Sequence, residues 1–176
     1  KPYDARMWNA LGFCYQRLDR TVCSIRCYER AVANDDQEGL ATIRLARLYV
    51  ERNTPDKAAS NYRKHVEMRA GNAQGQGIYA STGEPPSADS VEALLFLAEW
   101  HRKRGEFNEA VACCHRVLEY HGQSAQEEAK GILRQVRSQQ QVVGTPLLGE
   151  PDSIVMEGND SRSNMFGDVN MSNSLG

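Results

Sequence analysis

The chain has 176 residues, 40% of them hydrophobic and 25% charged, and its 21 Lys and Arg against 23 Asp and Glu leave a net charge of −2. That near-balance excludes any general attraction to nucleic acid or an anionic membrane surface, and no run of about 18 apolar residues or opening signal pattern marks a membrane span or secretion signal. The five cysteines, Cys14, Cys23, Cys27, Cys113 and Cys114, are odd in number and lack the paired spacing of a zinc site. They are expected to be small apolar residues on helix faces in a reducing compartment.

Pro2 followed by Asp4 as N-cap predicts a helix to about Leu18, and Asp19-Arg20 is a turn. Thr21 is expected to cap a second helix through Ala33, in which Ile25, Tyr28 and Val32 recur at helical spacing. Asp36 is expected to cap a third helix, with Gly39 near its start and a wide apolar face of Leu40, Ile43, Leu45, Leu48 and Tyr49. Thr54 and Pro55 restart the chain as N-cap and first helical residue of a fourth helix, which carries Ala58, Ala59, Tyr62 and Val66 to about Arg69. Residues 70–88 are rich in Gly, Ser and Pro without an apolar period and read as a flexible surface insertion. A fifth helix begins near Asp89 or Ser90 and carries Leu94, Leu97, Ala98 and Trp100. After Arg104-Gly105-Glu106 a sixth carries Phe107, Ala110, Val111, Cys114 and Leu118. Ser124 and Glu127 form a capping box for a last helix to about Gln141, and residues 144–176, with no period, read as disordered.

These helices repeat. Trp8, Leu11, Gly12 and Tyr15, then Ser24, Tyr28 and Ala31, return 34 residues later as Leu45, Ala46, Tyr49, Ala58 and Tyr62, and again, shifted by the insertion, as Leu97, Ala98, His101, Ala110, Cys114 and Val117. Residue types and period are those of a tetratricopeptide repeat, a pair of antiparallel helices in about 34 residues. Gly12 and Ser24 are small where the two helices cross most closely, with Leu11, Tyr15 and Tyr28 filling the space beside them. The expected fold is an all-α superhelix: repeats one and two over residues 1–69, the insertion over 70–88, repeat three and a closing helix over 89–143, and the tail over 144–176. Such a stack points to binding more than to chemistry. Pro2 falls where a preceding repeat would end, so the chain reads as the C-terminal part of a longer protein.

In such a stack the concave surface comes from the second, fifth, ninth, twelfth and thirteenth positions of each first helix. These are Arg6, Asn9, Phe13, Gln16 and Arg17, then Leu40, Ile43, Arg47, Val50 and Glu51, then Glu92, Leu95, Glu99, Arg102 and Lys103. Arg6, Arg17 and Arg47 towards one end and Glu92 and Glu99 towards the other could hold a peptide of both signs in one direction. Charges that merely solvate exposed helix faces would give the same pattern. A chaperone-tail adaptor needs clustered Lys and Asn for two carboxylates, and Asn9 is the one asparagine among these positions. A thiol or metal site at Cys113, Cys114 and His115, with His101 and His121 nearby, is opposed by helical geometry, because Cys114 and His101 fall in the repeat's aromatic slots. No cofactor is expected.

The segments Ala10-Leu11-Gly12-Phe13-Cys14-Tyr15, Arg26-Cys27-Tyr28-Glu29-Arg30-Ala31 and Asp36-Gln37-Glu38-Gly39-Leu40, with the closing run from Glu127 to Gln135, go beyond the generic repeat. Over residues 1 to about 141 the chain resembles the subunit-eight family of the anaphase-promoting complex, the cell-division-cycle 23 proteins. The resemblance implies a non-catalytic scaffold in a multisubunit ubiquitin ligase of mitosis, found in nucleus and cytoplasm. It also implies that the C-terminal repeats face neighbouring subunits and the coactivator, while N-terminal repeats form a homodimer. Thr145-Pro146 is a minimal proline-directed kinase site, where phosphorylation would add nearly two negative charges.

Overall fold

A computed structural model describes residues 4–34, 36–70, 79 and 85–143. They form α1 (Ala5–Arg17), α2 (Thr21–Ala33), α3 (Leu40–Glu51), α4 (Pro55–Ala70), α5 (Ala88–Lys103), α6 (Phe107–Leu118) and α7 (Gln123–Val143), with no strand among the described residues. Each helix packs on the next in chain order, and α5 also meets α7. The pairs α1/α2, α3/α4 and α5/α6 are the three expected repeats, and α7 lies against the last of them.

The close crossing in the first repeat has a direct cause. A Cβ on Gly12 would stand 2.7 Å from the Tyr28 ring, and the Ser24 hydroxyl donates to the Gly12 carbonyl at 2.8 Å. The small residues thus let α2 seat a large ring against the backbone of α1, and Tyr28 is fully buried. The core continues through Ile43, Leu48, Leu94, Leu97, Val117 and Val136, one strip running between the pairs.

Several expected caps hold. Asp4 accepts from the Arg6 amide at 3.3 Å, the Thr54 carbonyl accepts from the Ala58 amide ahead of Pro55, and Gly105 takes the left-handed φ of +77° that ends α5. Others shift. Thr21 is the first residue of α2 and Arg20 precedes it as the cap. Asp36 does not sit at the N-cap of α3, where Gly39 stands with φ +68°. Its carboxylate instead reaches the Thr42 amide at 2.9 Å and the Thr42 hydroxyl at 3.1 Å. The acidic turn thus caps α3 from a distance, and glycine supplies the left-handed bend that lets it fold back. In α7, helix begins at Gln123 rather than after Ser124, because the Gly122 carbonyl already accepts the Gln126 amide. The Gln126 side chain ties that turn to the carbonyls of Leu118 and Tyr120.

Two apolar assignments also change. Leu11 is 41% exposed rather than filling the space beside Gly12. Cys14 is exposed and Cys23 half-buried, leaving Cys27, Cys113 and Cys114 as the buried thiols.

The insertion contributes one described side chain away from its ends, Tyr79, which packs against the core. Its hydroxyl lies 2.9 Å from His101 Nε2, with the rings edge to face at 5.7 Å. His101 Nδ1 lies 2.6 Å from Glu106. A carboxylate can only accept, so Nδ1 donates to Glu106 and Nε2 is left facing the Tyr79 hydroxyl. Repeat three carries His101 and Cys114 where repeat two carries Tyr49 and Tyr62, and Tyr79 returns a ring to that thinned place. Residues 71–78 and 80–84, which carry most of the expected surface insertion, and the tail of 144–176 with Thr145, lie outside the described residues.

Candidate functional site

The first helices of successive repeats are joined by polar links along the expected concave face. Arg44 of α3 donates to the Asn9 side chain of α1 at 3.0 Å, so Asn9 is taken up in holding the stack and is nearly buried. Between α3 and α5, Arg47 makes a two-pronged bond to Glu92 at 2.9 and 2.6 Å and a third to Asp89 at 2.7 Å. Tyr62 of α4 donates to the same Glu92 at 2.9 Å. The Arg47 bond, with the Tyr62 bond behind it, holds the Glu92 carboxyl below the usual range against the opposing effect of burial. The bond to Glu92 in turn raises Arg47. Burial raises the Tyr62 phenol, and its bond to Glu92 adds to the rise.

Glu99 is likewise occupied. Arg102, one turn on, holds it with two bonds at 2.8 and 2.6 Å, and Lys103 stands 3.6 Å away. The Arg102 bonds are the main reason the Glu99 carboxyl is held below its usual range. Five of the expected groove residues, Asn9, Arg47, Glu92, Glu99 and Arg102, are therefore engaged within the chain.

The other end of the face differs. Among the described residues Arg6 reaches only Glu38, at 3.9 Å and with both side chains largely exposed. Arg17 and Glu51 are exposed and meet no oppositely charged partner among the described residues. Phe13 is 45% exposed, with the Arg44 guanidinium 5.1 Å from its ring centroid. Leu40 and Val50 are also exposed, whereas Ile43 is fully buried and contributes nothing to the surface. The expected set of three arginines at one end thus reduces to Arg6 and Arg17 around an exposed aromatic ring. Asp89 and Tyr62 were missed because neither occupies a concave-surface position; the acidic pair Asp89 and Glu92, three residues apart at the head of a helix, was the available signal.

The cysteine and histidine cluster is arranged against nucleophilic chemistry. Cys113, Cys114 and His101 are buried while His115 is exposed. Burial pushes the Cys114 thiol up to about 11 and raises Cys113 as well, the opposite of the depressed pKa that activates a thiol. Among the described residues no three His, Cys, Asp or Glu side chains converge as metal ligands.

The helix pairs, the 34-residue period and a match of the tetratricopeptide repeat family to residues 93–125 make this a tetratricopeptide-repeat chain. It is 36% identical over 121 residues to anaphase-promoting complex subunit 8 of Dictyostelium discoideum, covering 69% of this chain and 18% of that protein. It is 35% identical over 118 residues to anaphase-promoting complex subunit 8 of Arabidopsis thaliana, covering 66% of this chain and again 18% of the relative. The chain belongs, as a tetratricopeptide region, to the anaphase-promoting complex subunit 8 family. It spans about one fifth of the length of the relatives it matches.

Proposed function

We propose that the chain is part of a non-catalytic scaffold subunit of an anaphase-promoting complex, a multisubunit ubiquitin ligase of the cell cycle, acting in nucleus and cytoplasm. The observation that carries this is the likeness to subunit 8 proteins over a stretch that folds as a continuous repeat stack. In this reading the concave face meets a neighbouring subunit or the coactivator. The contacts fall to Arg6, Phe13, Arg17 and Glu51, which stay exposed, Arg6 with only a 3.9 Å contact to Glu38 among the described residues and Phe13 beside the Arg44 guanidinium. Asn9, Arg47, Glu92, Glu99 and Arg102 set the wall against which a partner lies. Homodimerisation through further repeats and phosphorylation at Thr145 belong to the same reading.

Affinity purification of the full-length protein from cells, followed by mass spectrometry, tests it. Recovery of the cullin, the zinc RING subunit and other repeat subunits is the expected result. Recovery of chaperones or an unrelated assembly would leave the fold standing and overturn the function in favour of an adaptor. With the complex recovered, Arg6→Glu with Arg17→Glu is expected to weaken coactivator retention while leaving the other subunits in place.

A further inference from the structure

A cleft of about 420 Å³ opens between the α3–α4 turn and the C-terminal half of α5. Val50, Pro55, Phe96 and Trp100 give it apolar walls, and Glu99, Lys103 and Arg104 lie around them. Its volume falls within the usual range for sites that take a compact organic group. Its aromatic walls are held from behind. Phe96 packs on Tyr62 with ring centroids 4.8 Å apart. The Trp100 indole N–H donates to Asp56 at 3.3 Å, and the Arg104 guanidinium lies 4.6 Å from the Trp100 ring centroid. Side chains fixed this way lose little freedom when a guest enters.

Charge decides what kind of guest fits. Glu99 is the acidic residue of the lining, and Arg102 already grips it with both prongs. Lys103, 68% exposed, is left with a longer contact of 3.6 Å to the same carboxylate. Arg104 makes one contact of 3.1 Å to Glu106, whose other oxygen faces His101. Two ammonium and guanidinium groups thus stand beside an apolar cleft whose own carboxylate is neutralised. We infer that this cleft is a peptide-docking site. It takes a large apolar side chain, Phe in preference, from a partner segment that carries acidic residues immediately after it. The ring enters between Val50 and Trp100, and the carboxylates meet Lys103 and Arg104. Val50, Glu99 and Lys103 belong to the concave face, so the inference rests on the reading of that face as a binding surface, while the peptide test below is read on this chain alone and succeeds or fails whichever assembly is recovered from cells.

The chain has two tryptophans, and Trp8 on α1 is not among the cleft's lining residues. Labelling both with 5-fluorotryptophan therefore gives one reporter in the cleft and one control, assigned with Trp8→Phe. The probes are acetyl-Gly-Phe-Asp-Asp-Gly-amide, its Lys-Lys counterpart and a version with Ala for Phe. The expected result is a saturable shift of the Trp100 resonance with the acidic Phe peptide, at least about fivefold weaker with the Lys-Lys and Ala versions. Val50→Phe, which fills the cleft from a position already open to solvent without adding a third labelled tryptophan, should abolish the shift while helical circular dichroism stays unchanged. Lys103→Glu should reverse the preference between acidic and basic peptides, which a purely structural lysine would not do. An unmoved Trp100 resonance, equal movement of Trp8, equal binding of the peptides, or a preference unchanged by Lys103→Glu would overturn the proposal.

Discussion

Repeats one and two place the same kinds of residue at the same positions and bury them very differently. Met7 and Leu11 of α1 are 60% and 41% exposed, while Ala41 and Leu45, one period on in α3, are 0% and 3%. Cys14 is exposed and its counterpart Leu48 is buried. The difference lies in the neighbour. α3 has the α1/α2 pair in front of it, and no described helix precedes α1. At the opposite end α7 lies on α5 and α6 with Ala129, Ile132 and Val136 turned inwards. An apolar face is therefore a property of every repeat, whereas its burial is a property of the interface between repeats.

The largest test of that comparison is Leu45→Ala. It empties a filled site between two repeats and is expected to destabilise the chain by about 3 kcal/mol, within the range for buried leucines. Urea unfolding followed by circular dichroism would show it as a lower midpoint. Gly12→Ala is expected to come next, at about 1–3 kcal/mol of overpacking, because the added methyl runs into the Tyr28 ring and α1 must move off α2. A midpoint unchanged by Gly12→Ala would mean that the close crossing in repeat one is not tight.

Polar links between the repeats should matter less than the apolar strip. Arg47→Ala leaves Glu92 without the guanidinium that neutralises it. The side chains are about two-fifths exposed, so water screens the loss, and about 1–2 kcal/mol is expected. A double-mutant cycle with Glu92→Gln should give a coupling of at least about 0.5 kcal/mol, and additivity would show the link to be ornamental to the stack.

A pH effect comes from His65, which is buried beside the turn that joins the first two repeats. Its Nδ1 lies 3.2 Å from the Gly39 carbonyl, which can only accept, so the proton is on Nδ1. Nε2 is buried with no hydrogen-bond partner among the described residues. Burial, with Arg69 and Arg47 adding to it, lowers the His65 pKa against the opposing pull of the Gly39 bond and Asp89. The unfolded chain then takes up a proton before the folded one does. Stability should be full above the ordinary histidine value and fall as pH drops below about 6.5. The acidic residues held below their usual range, Glu92, Glu99 and Glu106, lose their contribution only at lower pH. A His65→Gln variant whose midpoint is flat between about pH 7 and about pH 5 would confirm the assignment, and an unchanged slope would remove it.

The repeat period made the helix pairs and their order legible, since Gly12, Tyr28, Ala46, Tyr62 and Ala98 are each dictated by how two helices cross. Surface chemistry was less legible. Arg47 looked free because the consensus marks which positions point into the groove and is silent on what reaches them from the next repeat. Asp89 lies before the first consensus position, and Tyr62 belongs to a second helix. Phe96 and Trp100 were hidden as a cleft for the same reason, being ordinary apolar residues until the α3–α4 turn is placed beside them. Tyr79 sat in a stretch without period, and nothing local announces a ring that packs on a histidine in the last turn of the following helix.

The smallest expected effect closes the comparison from the other side. Leu11→Ala removes the same atoms as Leu45→Ala from the same repeat position, but from a side chain that is already two-fifths in water. The transfer term is correspondingly small, no enclosed cavity forms, and alanine is the better helix former. A change within about 0.5 kcal/mol is expected. The ratio of the two losses then measures how much of a repeat's stability is supplied by the repeat in front of it. If Leu11→Ala instead matched Leu45→Ala, the open face of α1 would have to be covered in solution, by self-association that a concentration-dependent midpoint would reveal.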